Sequence, residues 1–303
     1  MVIRHYRNLI CPYTRKQTGL SLIELMIALS LGTLLVAGAI RIFMSNTQAF
    51  RLQDNVSTAQ ENGRLALEIL LHDLRRAGYG GLTTSDPIVG IIGKDNSASA
   101  GKFPGLLKNH DGSGSDEITI IYKADTDCEG NNVDANDNVH NRYHIAMDNG
   151  LPALFCSGTK TGTGASLVRG VESFQILYGV TDFPGNGYAR PIRYIPANPD
   201  AVTDLDFNQA AIIKALDSSG AVANVPVIAT VRVALVVRSE HGVNGLPAGD
   251  GINDSDNMTV LDTHILYADL AKVSDDKNHW PVVHRYFSGT AVMRNAPQGA
   301  FIQ

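Results

Sequence analysis

"TGLSLIELMIALSLGTLLVAGAI", residues 18–40, is an apolar run with one ionisable side chain, Glu24. From Leu20 to Ile40 there are 21 residues, closed by Arg41. A helix needs about 20 to cross a hydrocarbon core. A carboxylate deep in such a helix costs roughly 2.5–3.5 kcal/mol on insertion scales, less near the interface, and is seldom kept without a partner. A plain membrane anchor supplies no partner. A secretory signal, with Ala37-Gly38-Ala39 as its small-x-small cleavage site, supplies none either, and its apolar region would be long and acidic. Cleavage between Gly19 and Leu20 does supply one, because the new α-amino group lies four residues before Glu24. Ammonium and carboxylate would then neutralise each other, within one chain or between neighbours.

The flanks agree with a membrane segment. Residues 1–19 carry Arg4, Arg7, Arg15 and Lys16 and no acid, whereas the 303-residue chain has a net charge of −5, which leaves −9 for residues 20–303. A short basic N-terminus before an apolar span predicts a cytoplasmic N-terminus with the remainder outside. The acidic remainder argues against unspecific nucleic-acid binding, which needs clustered Lys and Arg. No comparable apolar run recurs after residue 40. With 44% hydrophobic and 18% charged residues, the rest reads as folded.

Gly19, then Leu20-Ser21-Leu22-Ile23-Glu24, then an apolar helix resembles the class III prepilin signal of type IV pilins and type II secretion pseudopilins. The resemblance implies cleavage after Gly19 by a membrane prepilin peptidase and N-methylation of Leu20. It also implies pairing of Glu24 with the terminal amine of an adjacent subunit during assembly. Leu20 stands where phenylalanine is commoner in that family, a hydrophobic exchange.

No proline occurs between Pro12 and Pro87, and the apolar pattern continues past Arg41. Leu52, Val56, Ala59, Gly63, Ala66 and Leu70, with Leu67 and Leu74 beside them, form one face of an amphipathic helix. Leu67, Leu70, Leu71 and Leu74 are dense enough to pack on a sheet. "AGYGG" (77–81) ends the helix, with Gly78 suited to the left-handed terminal position. The pattern predicts one helix from about Leu20 to Arg76, roughly 85 Å long at 1.5 Å per residue. Gly32, Gly38 and Gly63 are its weak points. "NGRLALEILLHDLRRAGYGG" (62–81) resembles the PilW group of minor pilins, as do "VRVALVVRSE" (231–240) and the closing "HRYFSGTAVMRN" (284–295). On such a helix His72, Asp73, Arg75 and Arg76 read as a solvated face or as capping residues, not as a catalytic group.

Strand signals dominate from residue 82 onward. "EITIIYKAD" (117–125), "RYHIAM" (142–147), "ALFCSG" (153–158), "SLVRGVESFQILYGVT" (166–181), "RPIRYIP" (190–196) and "VIATVRVALVVRSE" (227–240) read as strands. In the last, Val231, Val233, Leu235 and Val237 face one way, against Thr230, Arg232 and Ala234. "TVLDTHILYADL" (259–270) and "HRYFSGTAVMRNA" (284–296) add further strands, and "NQAAIIKALDSSG" (208–220) a short helix. The expected fold is α+β and pilin-like: a long N-terminal helix, its first half spanning a membrane, packed on a mainly antiparallel β-sheet head. The expected division is a leader at 1–19, the helix at 20–77 with its membrane segment at 20–40, and a globular head at 78–303.

Removal of the leader takes Cys11 with it, leaving Cys128 and Cys156 as the only thiols. Outside the cytoplasm they are expected to form a disulfide, stabilising by a few kcal/mol in the loop-entropy model. Within "DTDCEGNNVDAND" (125–137), Asp125, Asp127, Glu129 and Gly130 match the opening of a calcium loop, but Asn136 stands where the bidentate glutamate belongs. A second acidic run, "DGINDSDN" (250–257), fits no template, and polar surface loops account better for both. No cofactor is expected. No Walker loop, His-Glu-x-x-His or C-x-x-C is present, so no enzyme is expected.

The resemblance implies a minor pilin that primes type IV pilus assembly near the tip and supports adhesion, twitching motility or DNA uptake. Its partners would be the prepilin peptidase, other minor pilins and the major pilin, the assembly platform in the inner membrane, and a PilY-type tip adhesin. It would reside in the inner membrane before assembly, head periplasmic, and afterwards in the surface pilus. Two alternatives differ in kind: a minor pseudopilin of a type II secretion system, and a pilus-mounted adhesin or binding module.

Overall fold

The computed structural model describes residues 19, 21–80, 82–83, 86–87, 91–92, 115–134, 137–159, 164–181, 193–196, 227–242, 257–261, 263–266 and 282–293. The expected leader up to residue 18, Leu20 and the expected helix at 208–220 lie outside the described residues, as does 250–256 of the second acidic run. One helix, α1 (Leu22–Arg76), runs for 55 residues. No proline interrupts it, and Gly32, Gly38 and Gly63 are all absorbed within it. It ends where expected. Gly78 takes φ 74°, and its N–H donates to Ile121 O at 2.8 Å, tying the helix terminus to the sheet.

The strands that follow are β1 (Leu82–Thr83), β2 (Asp86–Pro87), β3 (Ile91–Ile92), β4 (Ile118–Tyr122), β5 (Val139–Asp148), β6 (Leu151–Ser157), β7 (Ala165–Arg169), β8 (Val171–Thr181), β9 (Arg193–Pro196), β10 (Val227–Arg238), β11 (Asn257–Val260), β12 (Thr263–Leu266) and β13 (His284–Val292). They form two principal antiparallel sheets, in the orders β3-β4-β5-β6-β7 and β13-β10-β8-β9, and two short hairpins, β1-β2 and β11-β12. The chain divides into two compact units after Phe50.

In the first unit, α1 is apolar on every side. Leu22, Met26, Leu34, Leu35, Phe43 and Phe50 are all exposed, and none of its most apolar 18-residue window is buried. A helix hydrophobic all round requires lipid or other helices around it.

In the second unit, the rest of α1 is amphipathic. Ala59, Gly63, Ala66, Leu70 and Leu74 are buried, and the core joins Ala66, Leu70 and Leu74 to Ile120 and Tyr143 of one sheet and to Phe174, Val233 and Leu235 of the other. Burying each large apolar side chain contributes about 1.5–3 kcal/mol. Contact is close because glycine appears on both partners. A Cβ at Gly63 would collide with the Phe287 ring, and one at Gly289 of β13 would come within 2.8 Å of Leu71. At its start the buried face departs from the apolar pattern. Asn55 is buried while Leu52 and Val56 are only half-buried, because the Asn55 amide donates to His241 O at 3.0 Å.

One strand expectation is corrected. The stretch 166–181 is not one strand: it breaks at Gly170 into β7 and β8, which lie in different sheets. Gly170 has φ 80°, donates to Pro152 O at 2.7 Å and accepts from Arg238 N at 2.8 Å. A Cβ there would come within 2.7 Å of Arg238 O, so only glycine lets the chain cross between sheets at this point. Along β10 the expected alternation holds, and both of its faces are covered. Val231, Val233, Leu235 and Val237 face the main core, but Ala234 and Val236 on the opposite face are also buried, against Val260 of β11.

Candidate functional site

The residues expected to be processed and to pair stand at the start of α1. Gly19 and Ser21 precede the helix, and the space around Gly19 is open. The bond expected to be cut, Gly19–Leu20, thus lies ahead of the first helical turn, with Leu20 itself outside the described residues. Glu24 is exposed in that first turn, where unsatisfied backbone N–H groups and the helix dipole favour an anion. Leu25 N already donates to Ser21 O at 3.1 Å. A carboxylate at this place serves the helix start as well as any amine it meets.

At the other end of α1 stands a site that sequence reasoning missed. Asp73 is not on a solvated face; it is buried. Its Oδ2 accepts from Tyr143 Oη at 2.6 Å, Asn141 Nδ2 at 2.8 Å and Tyr122 Oη at 3.1 Å. Asn141 Nδ2 also reaches Tyr122 Oη at 2.9 Å. Both phenols are held far above their ordinary range, first by burial and then by the Asp73 charge. Arg76, one turn on, lies 4.3 Å from the centroid of the Tyr122 ring. A charged residue between Leu70 and Leu74 reads as solvated until its partners are known, and those partners are 49 to 70 residues away.

Cys128 and Cys156 form a disulfide with Cα atoms 6.3 Å apart. Cys156 lies on β6 directly opposite Tyr143, and the loop carrying Cys128 is built around Asp127. Asp127 Oδ1 accepts from Asn131 N at 2.9 Å and Glu129 N at 3.1 Å, and Oδ2 from Thr159 N at 3.0 Å. In sequence Asp125, Asp127 and Glu129 match the opening of a calcium loop, with a polar surface loop the better account. In the structure Asp127 is turned to backbone N–H groups, Asp125 supplies its backbone carbonyl to Val133 N, and Glu129 Oε2 accepts from Asn131 Nδ2. Among the described residues, no group of three or more His, Cys, Asp or Glu side chains is placed to hold a metal ion. Asn136 lies outside them.

A second buried ionic group pins one end of the four-stranded sheet. Glu172 of β8 meets Arg238 of β10 at 3.3 Å and His284 Nε2 of β13 at 2.8 Å, with Glu172 and Arg238 almost wholly buried. On β5 of the other sheet, burial lowers the pKa of His140 and of His144, and for His144 the Arg142 charge adds to it. The unfolded chain therefore binds protons at these two sites before the folded chain does. Their contribution is held above about pH 6.5 and lost as pH falls through that value toward the lower folded pKa. Stability between pH 7 and pH 5.5 should depend less on pH in a His140→Gln/His144→Gln protein than in the parent, by denaturant titration at each pH. Equal slopes would contradict this.

A long helix, apolar in its first half and packed on antiparallel sheets in its second, defines a pilin-like subunit. The model of the prokaryotic N-terminal methylation motif matches residues 14–40, and that of type IV pilus-assembly protein W matches residues 142–295. The chain belongs to the PilW family of type IV pilins. The family and the fold are structural in kind. A comparison with curated proteins returns no match. Among solved structures, the chain is similar to a type IV-like pilin from Thermus thermophilus, at 12% identity and a TM-score of 0.30, over 81% of this chain and 96% of that one.

Proposed function

We propose that this protein is a minor pilin that primes type IV pilus assembly with other minor pilins, near the filament tip. The observation that carries this reading is the placing of Gly19 ahead of a helix whose first turn holds Glu24 and whose next turns are apolar on every side. In this reading residues 1–19 are a leader, 20–77 the stem with its membrane segment at 20–40, and 78–303 the head. The prepilin peptidase cuts after Gly19 and methylates Leu20. The stem waits in the inner membrane with the head in the periplasm, and the assembly platform lifts it out when Glu24 meets the amine of a neighbour.

Contacts with the major pilin and a PilY-type tip adhesin, and the consequences for adhesion, twitching motility or DNA uptake, belong to the same reading. Catalysis and calcium have no part in it. The test is the N-terminus of the mature protein extracted from membranes. Mass spectrometry is expected to find N-methylated Leu20 as the first residue. A chain still starting at Met1, or cut after Ala39, would leave Glu24 without its amine and refute the proposal.

A further inference from the structure

The disulfide and the buried carboxylate of α1 are joined by a short hydrogen-bonded path. Asn141 stands between them. Its Oδ1 accepts from the Cys128 backbone N–H at 3.0 Å, and its Nδ2 donates to Asp73 Oδ2 at 2.8 Å. Cys156, the other half of the disulfide, sits directly opposite Tyr143, whose hydroxyl makes the shortest bond to the same Asp73 oxygen, 2.6 Å. Asn141 and Tyr143 are two residues apart on β5, so both side chains leave the same face of the sheet, toward α1.

A buried amide has two ends to satisfy, and each orients the other. With Cys128 held by its disulfide, its N–H fixes Asn141 Oδ1, and the amide plane then presents Nδ2 to Asp73. With Cys128 released, that loop has no covalent tie to β6. Asn141 loses the contact that selects its orientation, and the Asp73 carboxylate loses a donor while remaining buried.

We propose that the Cys128–Cys156 disulfide, Asn141 and Asp73 form one coupled lock, through which oxidation of the head tightens the last turns of α1 onto the five-stranded sheet. In forming it, the two thiols give up two electrons and two protons to a disulfide-bearing oxidant, which leaves as two thiols. The newly made chain has a looser helix–sheet joint until it reaches an oxidising compartment. On the proposed function, on which this consequence rests, the joint would tighten only once the head has left the cytoplasm.

A double-mutant cycle read by hydrogen exchange tests the lock on the full chain in detergent. The four samples are parent and Asn141→Ala, each with the disulfide intact and after reduction by a phosphine. In the oxidised chain, Asn141→Ala is expected to speed exchange of the amides of residues 70–77 by about ten-fold. Reduction alone should speed the same amides to a similar degree, and Asn141→Ala should then add less than about two-fold. A full ten-fold effect of the substitution in both redox states would mean that the two sites act independently. An oxidised Asn141→Ala protein that exchanges like the parent would remove Asn141 from the path. Reduction that speeds every amide of the head alike would assign the disulfide to global stability and not to this joint. Any of the three overturns the proposal.

Discussion

Asp73→Ala is expected to cost about 3–5 kcal/mol of folding stability, the scale for removing one partner from a buried, hydrogen-bonded charge. The substitution does more than delete a carboxylate. It leaves the Tyr143 and Tyr122 hydroxyls and the Asn141 amide, which now share one oxygen, turned toward an apolar hole. Each donor stranded in this way costs about 1–3 kcal/mol, so the neighbours, more than the lost side chain, set the size of the effect. Asp73→Asn should fall between, since it retains one acceptor oxygen but brings an amide group to face other donors. Urea titration of the detergent-solubilised protein measures the loss. A second readout is specific to the network: without the Asp73 charge the two phenols should ionise at lower pH, visible by ultraviolet titration. A loss below about 1 kcal/mol with an unchanged tyrosine titration would show that the carboxylate is dispensable.

Glu24→Gln has the opposite profile, with no effect on the head and a large effect on assembly. Glu24 is exposed and belongs to the first unit, so the unfolding transition of the head should not move. Under the proposed mechanism, glutamine keeps the size and loses the charge that meets the amine of Leu20 in a neighbour. Inside a bundle of apolar stems an unpaired ammonium is as costly as an unpaired carboxylate, on the order of 2.5–3.5 kcal/mol. Incorporation into sheared filaments should therefore fall by about 50-fold or more, while the cut after Gly19 proceeds. Quantitative blotting of sheared and membrane fractions reads both. Parental incorporation of Glu24→Gln would exclude charge pairing as the assembly contact, and loss of cleavage would assign Glu24 to peptidase recognition.

How far the sequence alone carried the fold follows from the range of the interactions concerned. The stem was legible because its signals are local. Leucines at steps of three and four, the absence of proline from Leu22 to Arg76 and a glycine at position 78 act within a few residues of one another, and periodicity registers them. Most strands were legible for the same reason. Glu24 stood out because a single charge in an apolar run has a cost that can be stated without coordinates.

The tertiary structure decided what depends on partners distant in the chain. It split 166–181 at Gly170, because the need for glycine there comes from the Arg238 carbonyl 68 residues later. It buried both faces of β10, because a separate hairpin supplies Val260. It turned Asp73 inward, because two tyrosines and an asparagine from β4 and β5 meet its charge. In the sequence these residues are an acid on a helix and polar positions on two strands. Only when the strands lie beside the helix do the donors converge, and the burial that would otherwise forbid the charge then strengthens each bond to it.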